Sequence, residues 1–214
     1  MHEKILAPSI FAYDNCYIGD GLKVIEASGA TWVHVDAMDG TFVPTIALGQ
    51  GVVSALRKRT KLFLDVHLMV QTPGNLIESF AAAGADMLTF HCESASAIEE
   101  TLQMVKNFGL SAGLALNPRT AIHSVEKYLD CMDAVLVMGV EPGKCRQKFL
   151  PSTCEKVRTL ASLREKRGLA YKISVDGGIN AETLPLAAKA GADIFVTGSA
   201  FFSNAEQLGE FFSC

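Results

Sequence analysis

Three segments of this sequence set ionisable side chains inside otherwise apolar runs. "WVHVDAMDG" (32–40) carries His34 and Asp36, "FLDVHLM" (63–69) carries Asp65 and His67, and "ISVDGG" (173–178) carries Asp176. Burying such groups is costly unless they are paired. Side chains two apart on a strand share a face, so His34 lies beside Asp36, and Asp65 beside His67. Brought to one level, His34, Asp36, His67 and Asp176 form a mixed nitrogen–oxygen set that suits Zn²⁺, Fe²⁺, Mn²⁺ or Co²⁺. An oxygen-only cage would instead suit Mg²⁺ or Ca²⁺. Any one of the four alone reads better as a satisfied core residue, but four at matched depth on three strands point to a divalent metal. Asp65 sits one layer deeper and reads as a group that orients an imidazole rather than as a ligand.

A second chemistry is written in glycines. "VDGGIN" (175–180) and "VTGSAFF" (196–202) place Gly177, Gly178, Gly198 and Ser199 just after two apolar runs. Backbone N–H groups in such turns can hold a phosphate, although each motif alone is also an ordinary tight turn. Ser9 ends the first apolar run and can reach the same place as a hydrogen-bonding group or serve as a helix cap. Met38, Met69 and Met138 stand at or beside the ends of three runs, where they are core filler or soft walls around a substrate. His91 reads as a structural histidine near the same level, and His2 and His123 as surface residues.

The elements that must position these groups follow from periodicity. Apolar runs recur at 5–10, 32–38, 62–69, 87–92, 112–116, 134–140, 172–176 and 194–198, each followed by a longer segment with helical spacing. "SGATWVHV", "AGADMLTF" and "AGADIFVT" repeat one design, in which a helix ends at glycine and a strand begins. Eight alternating units predict a parallel sheet closed into a (β/α)8 TIM barrel, a single α/β domain over 1–214. An open dinucleotide-binding sheet is disfavoured because "APSIFAYD", not GxGxxG, follows the first run. In the barrel, the ionisable groups all fall toward the C-terminal ends of their strands, where such folds carry chemistry.

Composition narrows the remaining classes. With 214 residues, 49% hydrophobic content and a net charge of −4, the chain predicts one compact core and no nucleic-acid partner. The start, "MHEKILAPSIFAYD", is broken by Pro8 and lacks a secretory apolar stretch, and no run approaches the roughly 18 apolar residues of a membrane span. A cytoplasmic protein without a membrane partner is the expectation. Six scattered cysteines with no CxxC pair read as reduced thiols.

With "APSIFA", "HVDAMDGTFVPTIALG", "DVHLM", "AGADMLTFHCES", "GLALNP", "VMGVEPG", "QKFLP", "VDGGIN" and "AGADIFVTGSAFF" in this order, the chain resembles the ribulose-phosphate 3-epimerase family along nearly its whole length. The resemblance implies a (β/α)8 barrel that inverts C3 of D-ribulose 5-phosphate to give D-xylulose 5-phosphate, with one divalent metal per subunit, as a homo-oligomer. It implies His34, Asp36, His67 and Asp176 as metal ligands, with Asp36 and Asp176 also the acid/base pair. Ser9, His67 and the three methionines would line the substrate, and Gly177, Gly178, Gly198 and Ser199 would take the phosphate. The chemistry agrees: inverting a carbon beside a ketone needs two carboxyl groups on opposite faces, one ionised at a time, and a cation to stabilise the enediolate.

The sequence departs from the family at the lid. Where the family reads "PGFGGQ", residues 142–147 are "PGKCRQ", and a common serine or threonine before this loop is Gly139. Gly143, Lys144, Cys145 and Arg146 are therefore expected beside the substrate, with Arg146 and Lys144 compensating at the phosphate for lost backbone approach. The changes admit another ketose phosphate, such as D-allulose 6-phosphate, or a non-catalytic sugar-phosphate-binding module. Barrel decarboxylases with a DxKxxD run are disfavoured, since 65–70 reads "DVHLMV".

Overall fold

In the computed structural model, which describes residues 3–94, 96–144, 147–205, 208 and 211–212, the apolar runs form strands and the segments between them form helices. The order is β1 (Ile5–Pro8), α1 (Ile18–Ala27), β2 (Trp32–Asp39), β3 (Ile46–Ala47), α2 (Gln50–Arg57), β4 (Phe63–Met69), α3 (Ile77–Ala83), β5 (Met87–His91), α4 (Ile98–Asn107), β6 (Ser111–Leu116), α5 (His123–Glu126), β7 (Ala134–Met138), α6 (Ser152–Arg167), β8 (Lys172–Asp176), α7 (Leu184–Ala190), β9 (Ile194–Thr197) and α8 (Ser199–Ser203). The sheet runs β1-β9-β8-β7-β6-β5-β4-β2-β3. A parallel bridge from Ser9 to His34 joins β1 to β2 and closes the ring as a (β/α)8 barrel.

The extra strand, β3, is absent from the eight-run pattern because it is only two residues long and pairs antiparallel with Met38 and Asp39. It belongs to a hairpin that Asp39 organises. One carboxylate oxygen accepts the Thr41 and Phe42 N–H groups, and the other accepts Gln71 N–H at 2.7 Å, tying the ends of β2 and β4 together. Gly40 turns the chain at φ +74°. The helix after β6 is also shorter than its spacing suggested, a single turn over His123–Glu126.

Outward side chains such as Val33, Val35 and Ala37 of β2 and Leu64, Val66 and Leu68 of β4 pack against the helices in one continuous apolar layer. The inward face differs. Apolar clusters there are small, Ile5, Ala7, Ile194 and Val196 in one and Ala115, Leu136 and Met138 in another. Beside them lie buried His34, Asp36, Asp65, His67, Thr89, His91 and Ser174. Branched apolar residues normally fill this space, so the polar layer marks where fold and function part.

The opposite end of the barrel explains the aspartates of the two "GAD" turns, Asp86 and Asp193, and Asp133 of "CMD". Asp86, Asp133 and Asp193 each accept a backbone N–H near the start of a neighbouring strand, from Leu64, Ala112 and Ile173 respectively, at 2.7–2.8 Å. Asp193 is fully buried and also binds Arg164, which is itself buried and donates to the Tyr171 carbonyl. Asp193→Ala leaves that guanidinium without its counter-charge and is expected to destabilise the fold by about 3–5 kcal/mol in urea titrations, with turnover per folded molecule unchanged. A loss under about 1 kcal/mol would show that the pair does not anchor this end of the barrel.

Candidate active site

Parallel pairing of β2 with β4 sets His34 opposite Asp65 and Asp36 opposite His67. Each histidine thus has a carboxylate across the strand boundary. His34 Nδ1 donates to Asp65 Oδ2 at 2.7 Å, which places the proton on that nitrogen and turns Nε2 toward Asp36. His34 Nε2 is buried with no hydrogen-bond partner among the described residues. Asp36 receives the Ser9 hydroxyl on Oδ2 at 2.5 Å, and His67 Nδ1 lies 3.3 Å from Oδ1. From β8, Asp176 brings Oδ2 to 3.7 Å from His67 Nδ1.

One ligand atom from each of His34, Asp36, His67 and Asp176 lies within 4.8 Å of the others. These residues fit a divalent cation. The donors are two imidazoles and two carboxylates, one imidazole has an orphaned nitrogen facing the cluster, and its other nitrogen is fixed by a carboxylate, as in metal-bound histidines generally. Asp65 performs the orienting role expected of it, toward His34 on the adjoining strand.

Electrostatics separates the two carboxylates. Burial alone would raise Asp36, but the adjacent His34 and His67 rings and the hydrogen bond from His67 outweigh it and hold the carboxyl well below its ordinary range. For Asp176 the His34 charge and the Gly177 N–H act in the same sense but are outweighed. Burial, reinforced by the negative charge of Asp36, pushes it up to about 7. Burial disfavours charge on His34, yet flanking Asp36 and Asp65 raise it well above 6.5, so the metal-free cluster holds a proton there. Burial lowers His67, and it lowers His91 to about 4.

Above the cluster opens a cavity of about 180 Å³. Its lining includes Ser9, Asp36, Met38, Met69, Met138, Gly143, Lys144, Asp176, Gly177, Gly178, Gly198 and Ser199. His34 and His67 lie beneath it, fully buried. Cys145 and Arg146, also expected here, lie outside the described residues. Gly177 and Gly178 have φ of +105° and +72°, and a Cβ on Gly178 would meet the Phe149 backbone nitrogen at 2.7 Å. Gly198 needs neither condition: its φ is negative and an added Cβ would make an ordinary 3.4 Å contact with Ala12.

Gly139 has a structural reason. Its N–H donates to the Asp176 carbonyl at 2.5 Å, and a Cβ there would sit 2.3 Å from the Gly177 carbonyl oxygen. A serine or threonine has no room at this approach. The lid rests on the β2–β3 hairpin: Thr45 Oγ1 donates to the Gly143 carbonyl at 2.8 Å, and Val43 occupies the space where a residue-143 side chain would begin. Gln147 braces the loop from within, its amide donating to the Glu141 and Lys144 carbonyls at 2.6 and 3.0 Å. Gln147 and Asn180 line the cavity without having been singled out in the sequence, since neither shares the strand periodicity that marked the others. His91 stacks on His67, with Nε2 atoms 2.8 Å apart, closer to the cluster than a solitary histidine ending a strand suggested.

Comparison with known proteins bears on the fold and the family. The barrel resembles the crystal structure of KGPDC from Streptococcus mutans, with a TM-score of 0.69 at 16% identity over 98% of this chain and 94% of that one. It also resembles a mutant tryptophan synthase alpha-subunit from the hyperthermophile Pyrococcus furiosus, with a TM-score of 0.68 at 15% identity over 99% and 96%. At such identities the likeness is one of fold. Sequence relationships are closer: the chain is 46% identical to a ribulose-phosphate 3-epimerase of Treponema pallidum (strain Nichols) over 93% of its length and 91% of the relative's. It is 41% identical to one of Bacillus subtilis (strain 168), over 94% of each. The model of the ribulose-phosphate 3 epimerase family matches residues 5–202. With the polar layer, the closed barrel and this similarity in agreement, the chain belongs to the ribulose-phosphate 3-epimerase family.

Proposed function

We propose that the protein interconverts D-ribulose 5-phosphate and D-xylulose 5-phosphate by moving protons at C3. The observation that carries this reading is the pair Asp36 and Asp176, two carboxyl groups at one cavity with opposite preferences for a proton. Asp36, ionised and steadied by Ser9, removes the C3 proton from one face, and the bond's electron pair moves toward the C2 carbonyl. Asp176, protonated, returns a proton to the other face. The reverse reaction exchanges the two roles. A divalent cation held by His34, Asp36, His67 and Asp176, one per subunit, supplies Lewis-acid stabilisation of negative charge on the oxygens beside C3. Zn²⁺, Fe²⁺, Mn²⁺ and Co²⁺ suit those donors.

Met38, Met69 and Met138 wall the sugar with polarizable apolar surface that excludes water while presenting no competing proton donor. Gly177, Gly178, Gly198 and Ser199 hold the phosphate through backbone groups, with Lys144 adding a charge from the lid. This remote grip fixes the register of the reacting carbon. The homo-oligomer and the cytoplasmic location belong to the same reading on the strength of the family likeness. No helix among the described residues is long and apolar enough to cross a membrane.

The alternative that the altered lid raised in the sequence, another ketose phosphate such as D-allulose 6-phosphate, is not favoured by the relatives. A substrate panel separates the two: kcat/KM is expected to be highest for ribulose 5-phosphate, and Lys144→Ala is expected to raise KM for the phosphate ester while sparing unphosphorylated ribulose. A higher kcat/KM for allulose 6-phosphate would reassign the substrate.

A further inference from the structure

The candidate metal ligand His67 does not stand alone. Its Nδ1 faces the cluster, 3.3 Å from Asp36 Oδ1 and 3.7 Å from Asp176 Oδ2. To serve as a ligand that nitrogen must offer a lone pair, which puts the ring's proton on Nε2. Nε2 lies 2.8 Å from His91 Nε2, and only one hydrogen fits between them. His91 must therefore accept there and carry its own proton on Nδ1, which lies 3.2 Å from Glu93 Oε2. The other Glu93 oxygen, Oε1, accepts the Asn117 N–H at 2.7 Å and the Thr120 hydroxyl. Both rings are fully buried, and Phe42 covers His91 with ring centroids 4.8 Å apart. A reversed tautomer in this packing would set N–H against N–H or lone pair against lone pair.

We propose that Glu93 and His91 are positioning residues that fix the tautomer of His67, so that its Nδ1 is held as an electron-pair donor toward the metal site. Glu93 is the origin of the direction, because an ionised carboxylate can only accept. This inference rests on the reading of His34, Asp36, His67 and Asp176 as metal ligands. It extends the site to a residue two positions beyond β5 that touches neither cavity nor cluster.

Glu93→Gln tests it with little change of shape. The Asn117 and Thr120 donors claim the new amide's carbonyl oxygen and turn its NH₂ toward His91 Nδ1. His91 must then accept at Nδ1 and donate from Nε2, which leaves the proton of His67 on Nδ1, facing the cluster. A residue that only anchored the 117–120 loop would be rescued by glutamine, whereas a tautomer-setting residue is not.

The expected result is a loss of about 10–100-fold in Mn²⁺ affinity by chelator competition, with the melting temperature of the metal-free protein unchanged. Imidazole ¹⁵N shifts are expected to place protons on His67 Nε2 and His91 Nδ1 in the Zn²⁺-loaded wild type, and on His67 Nδ1 and His91 Nε2 in metal-free Glu93→Gln. Equal Mn²⁺ affinity in the two proteins would overturn the proposal. So would a proton on His91 Nε2 in the loaded wild type, a measurement that needs no variant to fold. A wild type that binds no divalent cation overturns the metal reading and this one together, and that outcome is distinct from equal binding by both.

Discussion

Asp176→Asn is expected to lower epimerisation by about 10²–10⁴-fold, the usual loss on removing a general acid or base. The amide keeps the shape of the carboxyl and an oxygen for a cation, but it cannot give up and regain a proton on the catalytic time scale. Asp36 remains ionised between His34, His67 and Ser9, so one face of C3 is still served. The variant is therefore expected to keep solvent exchange at C3 in one of the two epimers while failing to convert it into the other. Loss of bound metal would abolish exchange in both, which separates the two causes without assuming that the ligand set survives. Wild-type turnover in a metal-replete Asp176→Asn protein would mean that Asp176 is not the second acid/base group.

Removing the metal is expected to have an effect at least as large. Exhaustive chelation should abolish turnover, and Zn²⁺, Mn²⁺, Fe²⁺ or Co²⁺ should restore it where Mg²⁺ and Ca²⁺ do not, because two of the four donors are imidazoles. The pH dependence has a definite sign. In the metal-free cluster His34, raised well above 6.5, holds a proton that a cation must displace, whereas Asp176, raised to about 7, can lend one oxygen and keep on the other the proton it gives to C3. Apparent affinity should therefore climb with pH through 7, about tenfold per pH unit for the proton released. Full activity in a verified metal-free preparation would contradict the ligand assignment, and a flat affinity between pH 6 and 8 would contradict the protonation pattern.

Much of this site is visible in single strands because period-two alternation reveals which side chains share a face. His34 with Asp36, and Asp65 with His67, declare themselves as polar pairs on an inward face without knowledge of any partner. What alternation leaves open is register. The pairing of His34 with Asp65 and of Asp36 with His67 depends on how β2 lies against β4, and a shift of one residue would turn every one of these groups to the other face. The barrel was equally legible, because eight apolar runs with helical spacers admit few topologies. Its hairpin strand β3 was not, since two residues carry no period.

Other features are non-local by nature. Gly139 looks like a lost side chain in the sequence, and only the 2.3 Å approach of the Gly177 carbonyl shows that none would fit. Glu93 reads as one more acidic residue after a strand until His91, Asn117 and Thr120 are seen to converge on it. In both cases the determinant includes a contact between segments more than twenty residues apart, Gly139 with Gly177 and Glu93 with Asn117 and Thr120, which no local pattern records.

The most direct test of the central claim follows protons at C3. Ribulose 5-phosphate incubated in D₂O with the metal-loaded protein should lose its C3 proton signal as xylulose 5-phosphate appears, with deuterium at C3 of the product and the C1 and C4 protons retained. Retention of the C3 proton in every ketose phosphate offered, or exchange at C1 in its place, would contradict the account.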